Sequence, residues 1–151
     1  MGLDMYLNAK RYLNSYNENE KTVIEGIEKV FDSRGMKVKQ VVCEAMYWRK
    51  ANAIHRWFVE NVQSDNDDCG YYPVSCDELS NLLVTVKDVL ADTSRAEELL
   101  PTQEGFFFGS TDYDEWYFKD LEETKEKLEG ILSWASTKDG IWWDFEYHSS
   151  W

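Results

Sequence analysis

The chain has 151 residues, of which 43% are hydrophobic and 15% aromatic, a composition typical of a folded protein rather than a disordered one. Its length fits one domain, so we expect residues 1–151 to form a single globular unit. The net charge of −13 repels phosphate backbones and argues against direct nucleic-acid binding.

The first half of the chain predicts two strands and two helices. Apolar and polar residues alternate over residues 3–13, the pattern of a half-buried strand. Apolar residues then recur at helical spacing from about residue 20 to residue 33, and Gly35 stands where a C′ glycine would end that helix. β-Branched residues predict a second strand over residues 36–46. A second helix is predicted over residues 47–62. Its apolar face would contain Tyr47, Ala51, Ile54, Phe58 and Val62.

Loops and one clearly signalled helix follow in the middle of the chain. Residues 64–70 read as a turn-rich acidic loop. Ser75 and Glu78 match the S-x-x-E capping box, which predicts the start of a helix over Cys76–Ala91. Two glycines bracket three phenylalanines in residues 105–109, and these three rings cannot all point inward on a strand. One of them is expected to line a pocket or an interface, and a buried loop plug is the alternative.

The C-terminal third predicts a long helix and a last strand. Thr111 and Asp114 are candidate N-terminal caps of a helix that runs to about Ala135. Period-2 alternation returns over residues 141–148. Strand-like segments near both ends, with helices between them, predict an α+β fold. We expect a small antiparallel sheet of the N-terminal, second and C-terminal strands, packed against three or four helices.

A cluster of aromatic and polar residues is the densest candidate for a ligand site. On the predicted second helix, Trp48, Asn52 and His55 would lie along one stripe, where they could hold a planar polar ligand by stacking and hydrogen bonds. The glycine-bracketed loop would complete this pocket. The candidate ligand-binding residues are Trp48, Arg49, Asn52, His55, Phe107, Ser110 and Tyr113. A nucleotide-like molecule would suit such a pocket. An enzyme with His55 as acid or base is a third hypothesis, and a purely structural role for His55 and Trp48 is the alternative.

Two acidic stretches form the candidate interaction surface. The candidate residues are Asp65, Asp67, Asp68, Asp112 and Asp114. Carboxylates at these positions could steer a basic partner protein toward the chain through charge complementarity. Solvated surface charge is the alternative, because most charge runs simply keep a surface wet.

Motifs for metal, cofactor or nucleophilic chemistry are missing from the sequence. There is no nucleophile elbow, Walker A sequence or G-x-G-x-x-G sequence. Cys43, Cys69 and Cys76 lack the paired spacing of zinc ligands, so we expect reduced thiols, no metal and no cofactor, and we assign no catalytic residue. No basic leader and no apolar run of roughly 20 residues is present, which predicts a cytoplasmic protein without a membrane segment.

Four blocks of sequence resemble small phage and prophage proteins. They are the opening MGLDMYL, the segment YWRKANAIHRWF, the segment VSCDEL and the segment LPTQEGFFFGSTDYDEWY. The resemblance implies an accessory phage protein that acts inside a bacterial host, and it implies no activity and no catalytic residue. The leading hypothesis is a non-enzymatic protein that modulates a host system by engaging a basic host protein. A small-ligand pocket is the alternative, and the oligomeric state stays open.

Overall fold

The structure is a computed structural model, and it describes residues 2–151. One antiparallel sheet organises this part of the chain. Its strands are β1 (Asp4–Tyr12), β2 (Gln40–Arg49), β3 (Tyr71–Val74) and β4 (Asp144–Ser150). They lie in the spatial order β2-β1-β4-β3. The three strands expected from the sequence all belong to this sheet, with β3 added at one edge. The predicted α+β fold is therefore confirmed.

The helices fall between the strands along the chain. They are α1 (Glu18–Val30), α2 (Asn52–Asn61), α3 (Cys76–Ala91), α4 (Ala96–Leu99) and α5 (Glu115–Ala135). Short 3-10 turns occupy Thr93–Arg95 and Gly140–Trp142. The predicted capping box is present, because the Ser75 hydroxyl accepts from the backbone N–H of Glu78 and the Glu78 carboxylate accepts from the backbone N–H of Ser75. The α3 boundaries match the prediction as a result.

The boundary between β2 and α2 differs from the prediction. The strand continues through Arg49, with Met46 and Trp48 buried and Tyr47 between them exposed, so residues 47–49 are not helical. Lys50 then takes a positive φ of 60°, which lies outside both strand and helix geometry. The helix predicted over residues 47–62 is consequently reduced to α2.

The core lies between one face of the sheet and the helices α2, α3 and α5. Alternate residues of β1 and β4 are buried on this face, as their period-2 pattern predicts. The rings of Phe58 in α2 and Tyr147 in β4 stack with centroids 3.9 Å apart. The helices contribute Ile54, Phe58, Leu79, Leu82, Val86, Leu121 and Leu128 to this cluster. The other residues of each strand point to the opposite face. Across residues 2–151, no helix is long and apolar enough to cross a membrane.

Candidate functional site

Trp48 is a core residue that joins β2 to α5. Its indole N–H donates to the hydroxyl of Thr124 at 2.8 Å. Its ring and that of Phe58 pack edge to face, with centroids 5.8 Å apart. Only 4% of its surface is exposed. Because Trp48 belongs to a strand, it does not share a helical stripe with Asn52 and His55, as the sequence analysis expected.

His55 belongs to a buried polar network. Its Nε2 lies 3.1 Å from Asp67 Oδ2, and its Nδ1 lies 2.7 Å from the hydroxyl of Tyr147. The carboxylate can only accept, so Nε2–H donates to Asp67 and Nδ1 accepts from Tyr147 in the neutral imidazole. Burial lowers the pKa of His55 below its ordinary value, and the opposing effect of Asp67 is smaller. Both ring nitrogens are occupied and no surface is exposed, so this geometry leaves the imidazole no access to a substrate.

Asn52, the first residue of α2, fixes the glycine-bracketed loop. Its side-chain amide donates to the carbonyl oxygens of Phe108 at 3.0 Å and Ser110 at 2.7 Å, and its Oδ1 accepts from the backbone N–H of Gln103 at 3.1 Å. Phe108 is consequently buried, whereas Phe106 is 95% exposed. The expectation that the three phenylalanines do not all face inward is confirmed.

A cavity of about 390 Å³ opens beside this buried amide. It lies between the start of α2, the loop of residues 109–114 and the first turns of α5, and its volume falls in the range of small-molecule sites. Arg49, Asn52 and Ser110 from the predicted ligand-binding set line it, together with Asp112 and Asp114 from the predicted acidic surface. Trp48, His55, Phe107 and Tyr113 are not among its lining residues.

The two walls of the cavity carry opposite charges. Arg49 and Lys50 lie on one side, where α2 begins. The N-cap of α2 is Ala51, which cannot accept a hydrogen bond through its side chain, so the positive end of the helix dipole reaches this wall uncapped. Asp114 and Asp120 lie on the α5 side. An elongated ligand with an anionic end and a hydrogen-bond-donating end would match both walls.

Asp120 is the carboxylate of the cavity that departs most from ordinary behaviour. Burial raises its pKa to about 6, and the nearby Glu123 acts in the same direction. Asp114, by contrast, caps α5 by accepting from the backbone N–H groups of Trp116 and Tyr117. Asp112 is bonded to the hydroxyl of Ser110 at 3.0 Å. Asp120 is therefore the acidic group most available to a ligand.

Sequence reasoning missed several lining residues. Lys50, Thr102, Trp116 and Asp120 contribute to the cavity, and Trp116 is 63% exposed near its edge. Trp116 and Asp120 both belong to α5. Their spacing could have placed them on one face of that helix, since they are four positions apart.

Gly109 allows the loop to approach the start of α2 closely. Its φ is +88°, and a Cβ built there would come within 3.1 Å of the Lys50 Cβ. A larger residue would be strained by this backbone conformation and would push against the cavity wall. The glycine therefore helps to set the position of the loop.

The carboxylates of the predicted acidic loop take different roles. Asp67 accepts from His55 and also from the indole N–H of Trp151 at 3.1 Å. Asp68 accepts from the backbone N–H of Gly70 and from the Tyr72 hydroxyl, and these bonds lower its pKa. Asp65 is exposed. Two of the three predicted carboxylates of this loop, Asp67 and Asp68, therefore make internal hydrogen bonds.

The cysteines and acidic side chains of residues 2–151 form neither a metal cluster nor a disulfide. No group of three or more His, Cys, Asp or Glu side chains is arranged to hold a metal ion in that part of the chain. Cys43 and Cys76 are exposed, Cys69 is half-buried, and all three are free thiols.

Comparison with protein-family models, with curated proteins and with solved structures gives no significant match to this chain.

Proposed function

We propose that this chain is a non-enzymatic binding protein whose principal site is the cavity between the start of α2 and α5. Its ligand is a small molecule with an anionic group at one end and hydrogen-bond donors at the other, and a nucleotide has this chemistry. The single observation that carries the proposal is the separation of charge in the cavity, which Arg49 and Lys50 line where α2 begins and Asp120 lines on the α5 side.

Each wall supports recognition of one part of such a ligand. A phosphate would accept from Arg49 and from the N–H groups of Ala53 and Ile54, which have no side-chain cap in the first turn of α2. The amino edge of a base would donate to Asp120, and Trp116 offers an exposed ring for stacking. The raised pKa of Asp120 supports a functional role, because such shifts concentrate at sites where a carboxylate is kept out of water.

The phage resemblance supplies the proposed context, an accessory protein in the cytoplasm of a bacterial host. The competing hypothesis, in which the predicted acidic surface engages a basic host protein, has less support at its predicted location. Asp67 and Asp68 are held by internal hydrogen bonds, and Asp112 and Asp114 belong to the cavity.

Thermal unfolding with a panel of ligands tests the proposal. The panel contains nucleoside mono- and triphosphates, inorganic phosphate and free nucleosides. We expect at least one nucleotide to stabilise the protein, by about 2.7 kcal/mol at a hundredfold excess over its dissociation constant. The phosphate and the nucleoside alone should stabilise less, because each reaches only one wall.

Charge-neutral variants locate the binding. Arg49→Gln and Asp120→Asn should each reduce the stabilisation, whereas Arg34→Gln should preserve it, since Arg34 is an exposed arginine that does not line the cavity. A panel with no stabilising nucleotide, or a nucleotide effect that survives in both cavity variants, would refute the proposal.

A further inference from the structure

The face of the sheet opposite the core carries a continuous row of aromatic rings. Tyr47 in β2, Tyr6 in β1, His148 in β4 and Tyr71 in β3 are direct cross-strand neighbours. The ring centroids are 5.3 Å apart between Tyr47 and Tyr6, 4.6 Å between Tyr6 and His148, and 4.4 Å between His148 and Tyr71. With strands roughly 4.8 Å apart, this aromatic row extends about 14 Å across all four strands.

The two ends of the aromatic row are open to solvent. Tyr47 is 42% exposed and Tyr71 is 64% exposed, while Tyr6 and His148 are half-buried between them. The helices that build the core pack on the other face, through the alternate residues of the same strands. The rings of the aromatic row are therefore not needed for that core. Tyr6 and His148 stack on each other, so the exposed rings of Tyr47 and Tyr71 at the two ends supply the aromatic surface that is open to contact.

Carboxylates outnumber cations around the aromatic row. The strand registers place Asp4, Glu44, Asp144, Glu146, Lys10 and Arg49 on the same face, and Arg49, the last residue of β2, also borders the cavity. Lys10 is already paired with Glu146. Asp4 accepts from the hydroxyl of Tyr47, and this bond is the largest cause of the raised pKa of Tyr47. The exposed carboxylates of Glu44 and Asp144 leave this face with a negative balance, in keeping with the charge of the whole chain.

We propose that the aromatic row binds an arginine-rich segment of a partner protein. A guanidinium group is planar, stacks on tyrosine rings and donates to carboxylates in its own plane, and this face presents both kinds of group side by side. The charge complementarity extends beyond the contact, because a protein of net charge −13 attracts a basic segment from a distance.

The chemistry of the face selects among possible occupants. Nucleic-acid bases also stack on aromatic rings, but their phosphates need cations, and the cations here lie beside carboxylates. A lysine ammonium interacts with tyrosine as a compact, strongly hydrated charge and lacks the planar stacking surface of arginine. An arginine-rich segment is thus preferred over both a lysine-rich segment and a single-stranded nucleic acid.

Fluorescence anisotropy with short labelled peptides tests this inference. The probe is a peptide of alternating arginine and glycine, compared with its lysine counterpart and with an oligothymidine, at about 0.15 M salt, where the Debye length is about 8 Å. We expect the arginine peptide to bind most tightly. The variant Tyr47→Leu/Tyr71→Leu should weaken it about fivefold or more, because two exposed cation–π contacts are lost.

Matched variants separate ring stacking from overall charge. The leucine substitutions leave the net charge unchanged, so general attraction to an acidic protein persists in them. Tyr16→Leu removes a tyrosine that is 93% exposed and lies outside the aromatic row, and it should leave the affinity unchanged. Tyr71→Phe keeps the ring and should bind like the wild type. If the double variant does not fold, Tyr71→Leu alone makes the same comparison.

Three results would overturn the inference. They are equal affinity of the double leucine variant and the wild type, equal affinity for the arginine and lysine peptides, and tighter binding of oligothymidine than of the arginine peptide. The tyrosines of the aromatic row do not line the cavity, so nucleotide stabilisation measured on the same variants is unaffected by them. Failure of one proposal is therefore distinguishable from failure of the other.

Discussion

The charge state of His55 is coupled to folding, because the imidazole is buried and neutral in the native protein. Its pKa in the folded state lies below the unfolded value of about 6.5. As the pH falls below about 6.5, His55 becomes protonated in the unfolded chain but stays neutral in the folded one. The unfolded state is then favoured, so this residue contributes stability that is present above pH 6.5 and is lost on acidification.

We predict that acidification from pH 7 to pH 5 lowers the free energy of unfolding by up to about 2 kcal/mol through His55. Two other groups titrate in this window. His148 has a lowered pKa and acts in the same direction, whereas Asp120 has a raised pKa and acts in the opposite one. Urea unfolding should therefore be measured in the His148→Gln/Asp120→Asn background, where His55 dominates. A stability that is constant or rises over this range would contradict the assignment.

Residue-level reasoning from the sequence reached part of the cavity lining, namely Asn52, Arg49 and Ser110. Their polar chemistry predicts a ligand site, and all three line the cavity. His55 was grouped with them for the same reason, yet its bonds to Asp67 and Tyr147 make it part of the core. Tyr147 lies 92 residues after His55, and a partner so remote cannot be read from local spacing. The raised pKa of Asp120 is likewise a consequence of tertiary burial.

Among the elements, β2 and α5 are joined by one buried hydrogen bond from the Trp48 indole to the Thr124 hydroxyl. We predict that Thr124→Val destabilises the protein by about 1–3 kcal/mol, because the valine keeps the shape but leaves the indole N–H buried without an acceptor. Chemical unfolding monitored by circular dichroism would measure the change.

Thr85→Val is the matched control for this substitution. Both threonines lie within helices and donate to the carbonyl four residues earlier, but Thr85 has no indole partner and its hydroxyl bond is exposed. We expect its effect to be small. Equal destabilisation by the two substitutions would show that the indole bond contributes nothing.

The elements that the sequence predicted well share a simple physical signal. β1 and β4 bury one face, so alternation is preserved in their sequences, and α3 begins with a complete capping box. β3 was missed because it has four residues and contains Pro73, a combination that disfavours a strand assignment. The start of α2 was misplaced because Tyr47, Ala51 and Ile54 have helical spacing in the sequence, although Tyr47 belongs to β2 and is exposed. The strand ends there at the positive φ of Lys50, a conformation that a lysine in the sequence does not indicate.

For the whole molecule, the net charge of −13 destabilises the folded state, because the excess carboxylates repel one another. We predict that the melting temperature rises by a few degrees between about 0.01 and 0.15 M sodium chloride, as the Debye length falls from about 30 Å to about 8 Å. Differential scanning fluorimetry in the absence of ligand would measure this rise.

A variant with fewer negative charges should show a smaller rise. Asp65→Asn and Glu104→Gln together remove two exposed carboxylates, and asparagine tolerates the positive φ of 61° at position 65. The same double variant should keep the nucleotide response, because neither position lines the cavity. An unchanged salt dependence would indicate that specific ion binding, rather than general repulsion, controls the effect.

The strand order has a consequence for how the chain reaches its native state. The central pair of the sheet joins β1 to β4, and β3 is attached only through β4, so almost the whole described chain must be connected before the sheet can close. Contacts between residues so distant in sequence carry a large loop-closure entropy and slow the folding reaction. During synthesis, β1 and β2 can pair early as a two-stranded ribbon. The core residues Met5, Leu7 and Phe58 are then already present, but Tyr147, which packs against them in the native core, is not. A nascent chain without β4 would therefore expose an apolar sheet face, which favours aggregation until the last strand is made.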